Sequence, residues 1–235
     1  MILSNVIAQL LGGMVTSIEI FLLTLLFSLP LGLVVAGGRM SRFAPLRWLM
    51  RIYISVMRGT PLMLQLIIVF FAPYYVFGIN LTPEYRFIAV IIAFTINYAA
   101  YFAEIYRGGI EAIPKGQYEA AKVLGYNKFE TFFIIVLPQV FKIVLPSITN
   151  EVITLVKDTS LSFVIAIPEM FTVAKQIAAA DASIAALLVA GVFYYILNAI
   201  VAFVMEYIEK RLSYYDLRGS YEFTWNITSK KKLWW

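Results

Sequence analysis

Apolar residues are grouped in this chain as long blocks rather than as stripes of helical or strand period. Five blocks approach the roughly 20 residues needed to cross the hydrocarbon of a bilayer: Leu11 to Ala36, Pro61 to Ile79, Phe87 to Tyr106, Phe132 to Val156 and Ser183 to Tyr207. Each predicts a membrane-spanning helix, because an isolated apolar segment satisfies its backbone polar groups in lipid only as a helix. A sixth block, Leu161 to Ile167, sits between Ser160 and Pro168 and is too short to cross, so a re-entrant or interfacial piece is expected there. The first block starts late and lacks a small-residue cleavage site, which predicts a retained span rather than a signal peptide. No internal repeat or low-complexity linker interrupts the pattern. The expected organisation is therefore one all-α membrane domain over residues 1–219, with a basic tail over 220–235.

Composition agrees with this reading. With 61% hydrophobic and 14% charged residues and a mean hydropathy of +0.82, a soluble fold would expose large apolar patches. Cysteine and histidine are both absent, which removes disulfides, thiolate chemistry, histidine proton relays and the usual zinc donors. No metal site is expected. An intramembrane enzyme would be limited to Ser, Lys and carboxylates, and no convergent nucleophile and base are suggested.

Charge sets the expected orientation. Arg39, Arg42, Arg47, Arg51 and Arg58 follow the first span, Arg107, Lys115, Lys122 and Lys128 lie between the third and fourth, and Lys210, Arg211, Arg218 and Lys230 to Lys232 follow the fifth. All three regions fall on one side, and the opposite loops hold only Arg86 and Lys175. The positive-inside rule then predicts an external N-terminus and a cytoplasmic C-terminus. The net charge of +5 is accounted for by topology and the lipid surface, with no nucleic acid implied. An Asn226-Ile227-Thr228 sequon falls on the tail, on the side where glycosylation does not reach.

The third inter-span region carries a helix signal. Pro114 occupies the expected first helical position, Glu119, Ala120 and Ala121 carry the helix, and Gly125 falls where a left-handed C-terminal cap is wanted. Small Ala120 and Ala121 permit close backbone approach, Leu124 offers an apolar anchor and Glu119 a charge, which suits insertion into a groove on a partner. Composition alone also allows a helix resting on the lipid surface. No glycine of the chain is followed by lysine, so the GxxxxGK[ST] phosphate cradle is missing and nucleotide energy must come from another polypeptide. A gradient-driven secondary transporter or channel is the alternative.

The run Tyr118 to Pro138, YEAAKVLGYNKFETFFIIVLP, resembles the EAA loop of ATP-binding-cassette importer membrane subunits through Glu119, Ala120, Ala121, Gly125 and the closing Leu137-Pro138. RGTPLMLQ at Arg58 to Gln65, AEIYRGGIEAIPKGQ at Ala103 to Gln117 and KDTSL at Lys157 to Leu161 are similar to signatures of the polar amino-acid branch. The resemblance, over residues 10 to 215, implies a type I permease with five transmembrane helices and a cytoplasmic coupling loop over about 108–131. It also implies two membrane subunits, a cytoplasmic ATPase dimer that holds ATP and magnesium, an external solute-binding protein and a home in a bacterial inner membrane. Gln117, Glu119, Ala120, Ala121, Leu124 and Gly125 are then the coupling residues.

Polar groups within the spans are costly unless they face a pathway or a partner. Glu151, Asp158, Thr159 and Ser160 form one candidate cluster: a carboxylate for an amino acid's ammonium, and hydroxyls for its carboxylate, aided by backbone N–H groups if the chain breaks there. Lys157 and Asp158 also fit a solvated end of the span. Arg58 is either a boundary anchor or, two turns into a helix, a bidentate carboxylate holder. Glu19 fits a pathway or helix packing, and Glu104 an ion pair with Arg107. Glu19 and Glu151 facing one pathway would favour a cationic amino acid, arginine, lysine or histidine.

Overall fold

The computed structural model describes residues 3–213, and every regular element among them is helical. The order is α1 (Leu3–Arg39), α2 (Ala44–Gly59), α3 (Leu62–Phe77), α4 (Pro83–Glu111), α5 (Lys115–Val123), α6 (Lys128–Glu130), a π-helical turn (Thr131–Val136), α7 (Leu137–Asp158), a 3-10 helix (Thr159–Ile165), α8 (Met170–Ala180) and α9 (Ala185–Ser213). The basic tail, with Arg218 and the sequon, lies outside the described residues.

Four helical stretches among the described residues have the length and apolarity to cross a bilayer: Ser4–Arg39, Pro83–Glu111, Lys128–Ile165 and Ala185–Arg211. The expected second span differs. Its helix, α3, has 16 residues, which at about 1.5 Å each falls short of the hydrocarbon thickness. It is joined to α2 through a bend of 111°, and the pair has the length and apolarity of a fifth span only when the two helices are counted together. The bend follows from Pro61: a residue preceding proline is driven out of the helical region, and Thr60 is extended at φ −121°, ψ 148°. The arginine-rich segment is the helix α2, with Ile54 buried, Arg47 half-buried and Arg51 and Arg58 exposed, so Arg58 does lie within a helix.

α4 is the central element. It packs along α1, α3 and α7 and buries Phe94, Tyr98 and Phe102. Small residues set the helix spacing, as is common where apolar side chains gain nothing by leaving lipid. A Cβ at Gly32 would stand 2.8 Å from Phe102 Cβ, and one at Gly109 would overlap Val144 Cγ1. Of the glycines that bracket the first span, Gly13 abuts Met170 and Gly38 abuts Met50, while Gly12 and Gly37 face open space. Pro138 lacks the N–H that would bond one turn back, and the wider π turn ahead of it takes up the mismatch. Pro146 lies inside α7 without breaking it, and the stretch Lys128–Ile165 stays continuous.

Beyond α7 the short apolar block Leu161 to Ile167 falls in the 3-10 helix and in the turn at Ala166 (φ 57°). α8, too short to register in the hydropathy pattern, then packs between α1 and α9. Of the aromatic clusters on α3 and α9, Phe71, Tyr74, Tyr75 and Tyr195 are exposed, while Phe70 is buried and Tyr194 is turned inward onto a carboxylate.

Candidate functional site

Arg58 is placed by the α2–α3 bend. Gln65 Nε2 donates to the Met57 carbonyl (2.9 Å), the Thr60 carbonyl (3.1 Å) and Thr60 Oγ1 (2.7 Å). From α4, Asn97 Nδ2 donates to the Met57 carbonyl (3.1 Å) and to Gln65 Oε1 (2.9 Å). The segment RGTPLMLQ therefore has an internal logic: Pro61 opens the bend, and Thr60 and the buried Gln65 staple it to α4. Arg58 emerges with its guanidinium 5.3 Å from the centre of the Tyr101 ring, a cation–π contact, and forms no salt bridge with any described residue. Gln65→Leu, which removes the Gln65 bonds to Met57 and Thr60 and leaves Asn97 Nδ2 with the Met57 carbonyl alone, is expected to destabilise the chain by about 1–3 kcal/mol. Thermal unfolding in detergent checks this, and an unshifted melting curve would mean the staple contributes nothing.

Glu151 and Asp158 lie seven residues apart on α7, two turns along one face. Tyr98 of α4 donates its hydroxyl to Asp158 Oδ2 at 2.7 Å, and the Tyr98 and Tyr101 rings are 6.1 Å apart. Arg58 and Asp158 lie near enough to Glu151 to act on its charge. One guanidinium, two carboxylates and two tyrosines thus converge from three helices, and all but Tyr98 are at least partly open. Such a group can hold an anion at one end and a cation at the other.

The other expected members stand elsewhere. Thr159 is buried and donates to the Val156 carbonyl at 2.8 Å, and Ser160 donates to the Lys157 carbonyl at 2.7 Å. No chain break presents free N–H groups at this point: the hydroxyls serve the chain's own carbonyls and tighten α7 into the 3-10 helix. Lys157 is exposed and Asp158 is engaged by Tyr98. Glu19 projects from an exposed face of α1, forms no hydrogen bond with a described residue, and is not among the charges acting on Glu151. Glu104 does pair with Arg107, through contacts of 3.2, 3.1 and 2.7 Å.

At the end of α4 the chain turns into α5. Pro114 is its N-cap rather than its first residue, so Lys115 opens the helix. Its C-terminus closes as expected: Gly125 is left-handed at φ 83°, its N–H donates to the Lys122 carbonyl (3.1 Å), and the Tyr126 N–H donates to the Ala121 carbonyl (3.0 Å). Ala121, 1% exposed, faces the chain's own π-helical turn rather than outward. Gln117 lies 3.4 Å from Gln139. What the lever presents is Glu119 and Ala120 beside Val123 (88% exposed), Leu124 (73%) and Phe129 (70%), an apolar tip on a charged stem.

Sequence reading passed over Glu169, which is fully buried at the N-cap of α8. Its carboxylate accepts from the N–H groups of Phe171 and Thr172 (both 2.7 Å), Thr172 Oγ1 (2.8 Å), the Tyr194 hydroxyl (2.9 Å) and Ser17 Oγ (3.5 Å). One side chain thereby ties α1, α8 and α9 together. An acidic residue after Pro168, at the head of the helical run from Met170, is the signal that was available.

A bundle of apolar crossing helices around a half-open polar cluster defines a membrane permease. Residues 28–214 match the binding-protein-dependent transport system inner membrane component family, and the chain belongs to it as a multi-pass inner-membrane protein. The L-cystine transport system permease protein TcyB of Bacillus subtilis is 38% identical over 206 residues, 87% of this chain and 86% of its own. The arginine transport system permease protein ArtQ of Bacillus subtilis is also 38% identical, over 208 residues, 88% of this chain and 94% of its own. A glutamate/aspartate import permease protein, GltK of Escherichia coli, is 31% identical over 86% of this chain and 92% of its own. The solved structure of an amino acid ABC transporter with histidines superposes with a TM-score of 0.81 at 28% identity, covering 88% of this chain and 96% of that one. An inward-facing methionine ABC transporter, MetNI, shares the fold at a TM-score of 0.68 and 16% identity, over 88% of this chain and 95% of that one. The fold is that of the type I ABC importer permeases.

Proposed function

We propose that this chain forms the translocation pathway of an ATP-driven amino-acid importer and binds its solute between Arg58 and the Glu151–Asp158 pair. The convergence of those charges with Tyr98 and Tyr101 carries the reading: a zwitterion needs an anion for its ammonium and a fork of donors for its carboxylate. With two carboxylates to one guanidinium, the site favours a polar or cationic side chain, arginine, lysine or histidine. In this reading Asp158 takes the second acidic place that Glu19 was expected to fill. The known substrates of its relatives span cystine, arginine and acidic amino acids, and an arginine permease is among the most similar of them.

The pathway is completed by a second permease, the same chain or a paralogue, and is fed by an extracytoplasmic solute-binding protein. The N-terminus lies outside, and α5 reaches into the cytoplasm, where its tip docks on an ABC ATPase dimer. ATP binding closes the ATPases, moves the paired levers together and opens the cavity outward, and hydrolysis reverses the motion. The assembled transporter in proteoliposomes tests this by uptake of arginine, histidine, lysine, glutamine and cystine. Glu151→Gln and Asp158→Asn are each expected to weaken uptake roughly thirtyfold, the equivalent of about 2 kcal/mol of lost charge pairing. Unchanged selectivity and rate in both variants would remove these carboxylates from the site. Uptake by the chain without an ATPase would favour a gradient-driven carrier instead.

A further inference from the structure

A groove of about 540 Å³ opens beside the proposed solute site, lined by Arg39, Arg51, Ser55, Arg58, Tyr101 and Glu104. Its volume lies within the range of ligand pockets, roughly 300–1,000 Å³. Three guanidinium groups share it with one carboxylate, and that carboxylate is already held by Arg107. Arg39 Nε stands 3.6 Å from Glu104, is shut off from solvent and has no hydrogen-bond acceptor. Like charges gathered in one groove repel unless an anion joins them.

The groove is also in line with the site. Glu104, Tyr101 and Tyr98 recur every three residues on α4, about 4.5 Å per step. Asp158 stands at the level of Tyr98, Arg58 at that of Tyr101, and Arg39 at that of Glu104 near the end that leads into α5. On α2, Arg51, Ser55 and Arg58 share one face at four- and three-residue spacing.

We propose that this groove is a second carboxylate-binding station, which takes the carboxylate of the solute from Arg58 and guides it through Arg51 and Arg39 toward release at the α5 end. The station rests on the amino-acid reading of the neighbouring site. Arg58 belongs to both, so a carboxylate moves along the groove without crossing a stretch that lacks a cation.

The test uses the complete transporter in proteoliposomes with ATP inside and labelled arginine, histidine, glutamine and cystine as probes. Arg51→Gln and Arg39→Gln are each expected to cut the maximal uptake rate roughly tenfold, the loss of one charged hydrogen bond. The solute concentration at half-maximal uptake stays put and more ATP is hydrolysed per solute moved. Arg51→Lys, which keeps the charge, restores most of the rate. Vesicles of zwitterionic lipid only form the second arm. If the Gln variants lose rate only when anionic lipid is present, the groove holds a lipid phosphate and the proposal fails. Parental rate and stoichiometry in both Gln variants overturn it as well. A parent that takes up none of the probes defeats the amino-acid reading itself, a different result from a parent that works and variants that match it.

Discussion

Replacing Glu169 by alanine is expected to lower stability by about 3–5 kcal/mol, since it strands the Thr172 and Tyr194 hydroxyls and two backbone N–H groups that now share one buried carboxylate, and leaves Ser17 with the Gly13 carbonyl alone. The loss is concentrated where α8 meets α1 and α9, because among the described residues no other side chain bridges these helices through so many polar contacts. Glu169→Gln separates the shape of the side chain from its charge. The amide keeps one acceptor oxygen but turns an NH₂ toward groups that are themselves donors, so an intermediate loss is expected. Thermal unfolding of the purified complex in detergent reads both, with the alanine variant melting roughly 10 °C below the parent. Melting within about 2 °C of the parent would show that water replaces the carboxylate at little cost, and Glu169 would not hold α8 to α1 and α9.

How far the sequence foretold the structure depends on what each residue's signal rests on. Long apolar blocks announce α1, α4, α7 and α9, because hydropathy over 20 residues is a bulk property that side-chain detail does not overturn. α2 escaped because its arginines lower the average hydropathy, although their recurrence on one face is itself the mark of an amphipathic helix. α8, at 11 residues, is shorter than any window that detects a span. Within the site, Arg58, Glu151 and Asp158 stood out because a charge in an apolar block is conspicuous. Tyr98, which holds Asp158, and the Gln65–Asn97 staple did not, because polar but neutral side chains within a span carry no such flag.

Thr159 and Ser160 show the opposite limit. Their hydroxyls looked free for a ligand in the sequence, but at the end of a helix they bond back to carbonyls one turn earlier, which no composition argument reveals. Ala121 is similar: its small side chain implied close approach, and the approach it makes is to its own chain. In both cases residue type was informative about geometry and silent about the partner.

The lever gives the second large effect. Gly125→Val places a β-branched residue at φ 83°, a conformation that costs L side chains about 1–3 kcal/mol. The chain escapes that strain by opening the cap formed by the Gly125 and Tyr126 N–H groups, which swings Val123 and Leu124 away from their present line. If the docked geometry carries that strain, the ATPase is retained roughly 5- to 150-fold less well and uptake falls in step, while solute binding by the permease is unchanged. Leu124→Asp provides the companion arm: it leaves the backbone alone and puts a charge on a side chain 73% exposed, so it is expected to disturb the proposed docking without disturbing the fold. Copurification of the ATPase, measured beside ATP-driven uptake, decides the matter. Both variants holding the ATPase and transporting at the parental rate would mean that the tip of α5 carries no force, and the motor would have to act elsewhere on this chain.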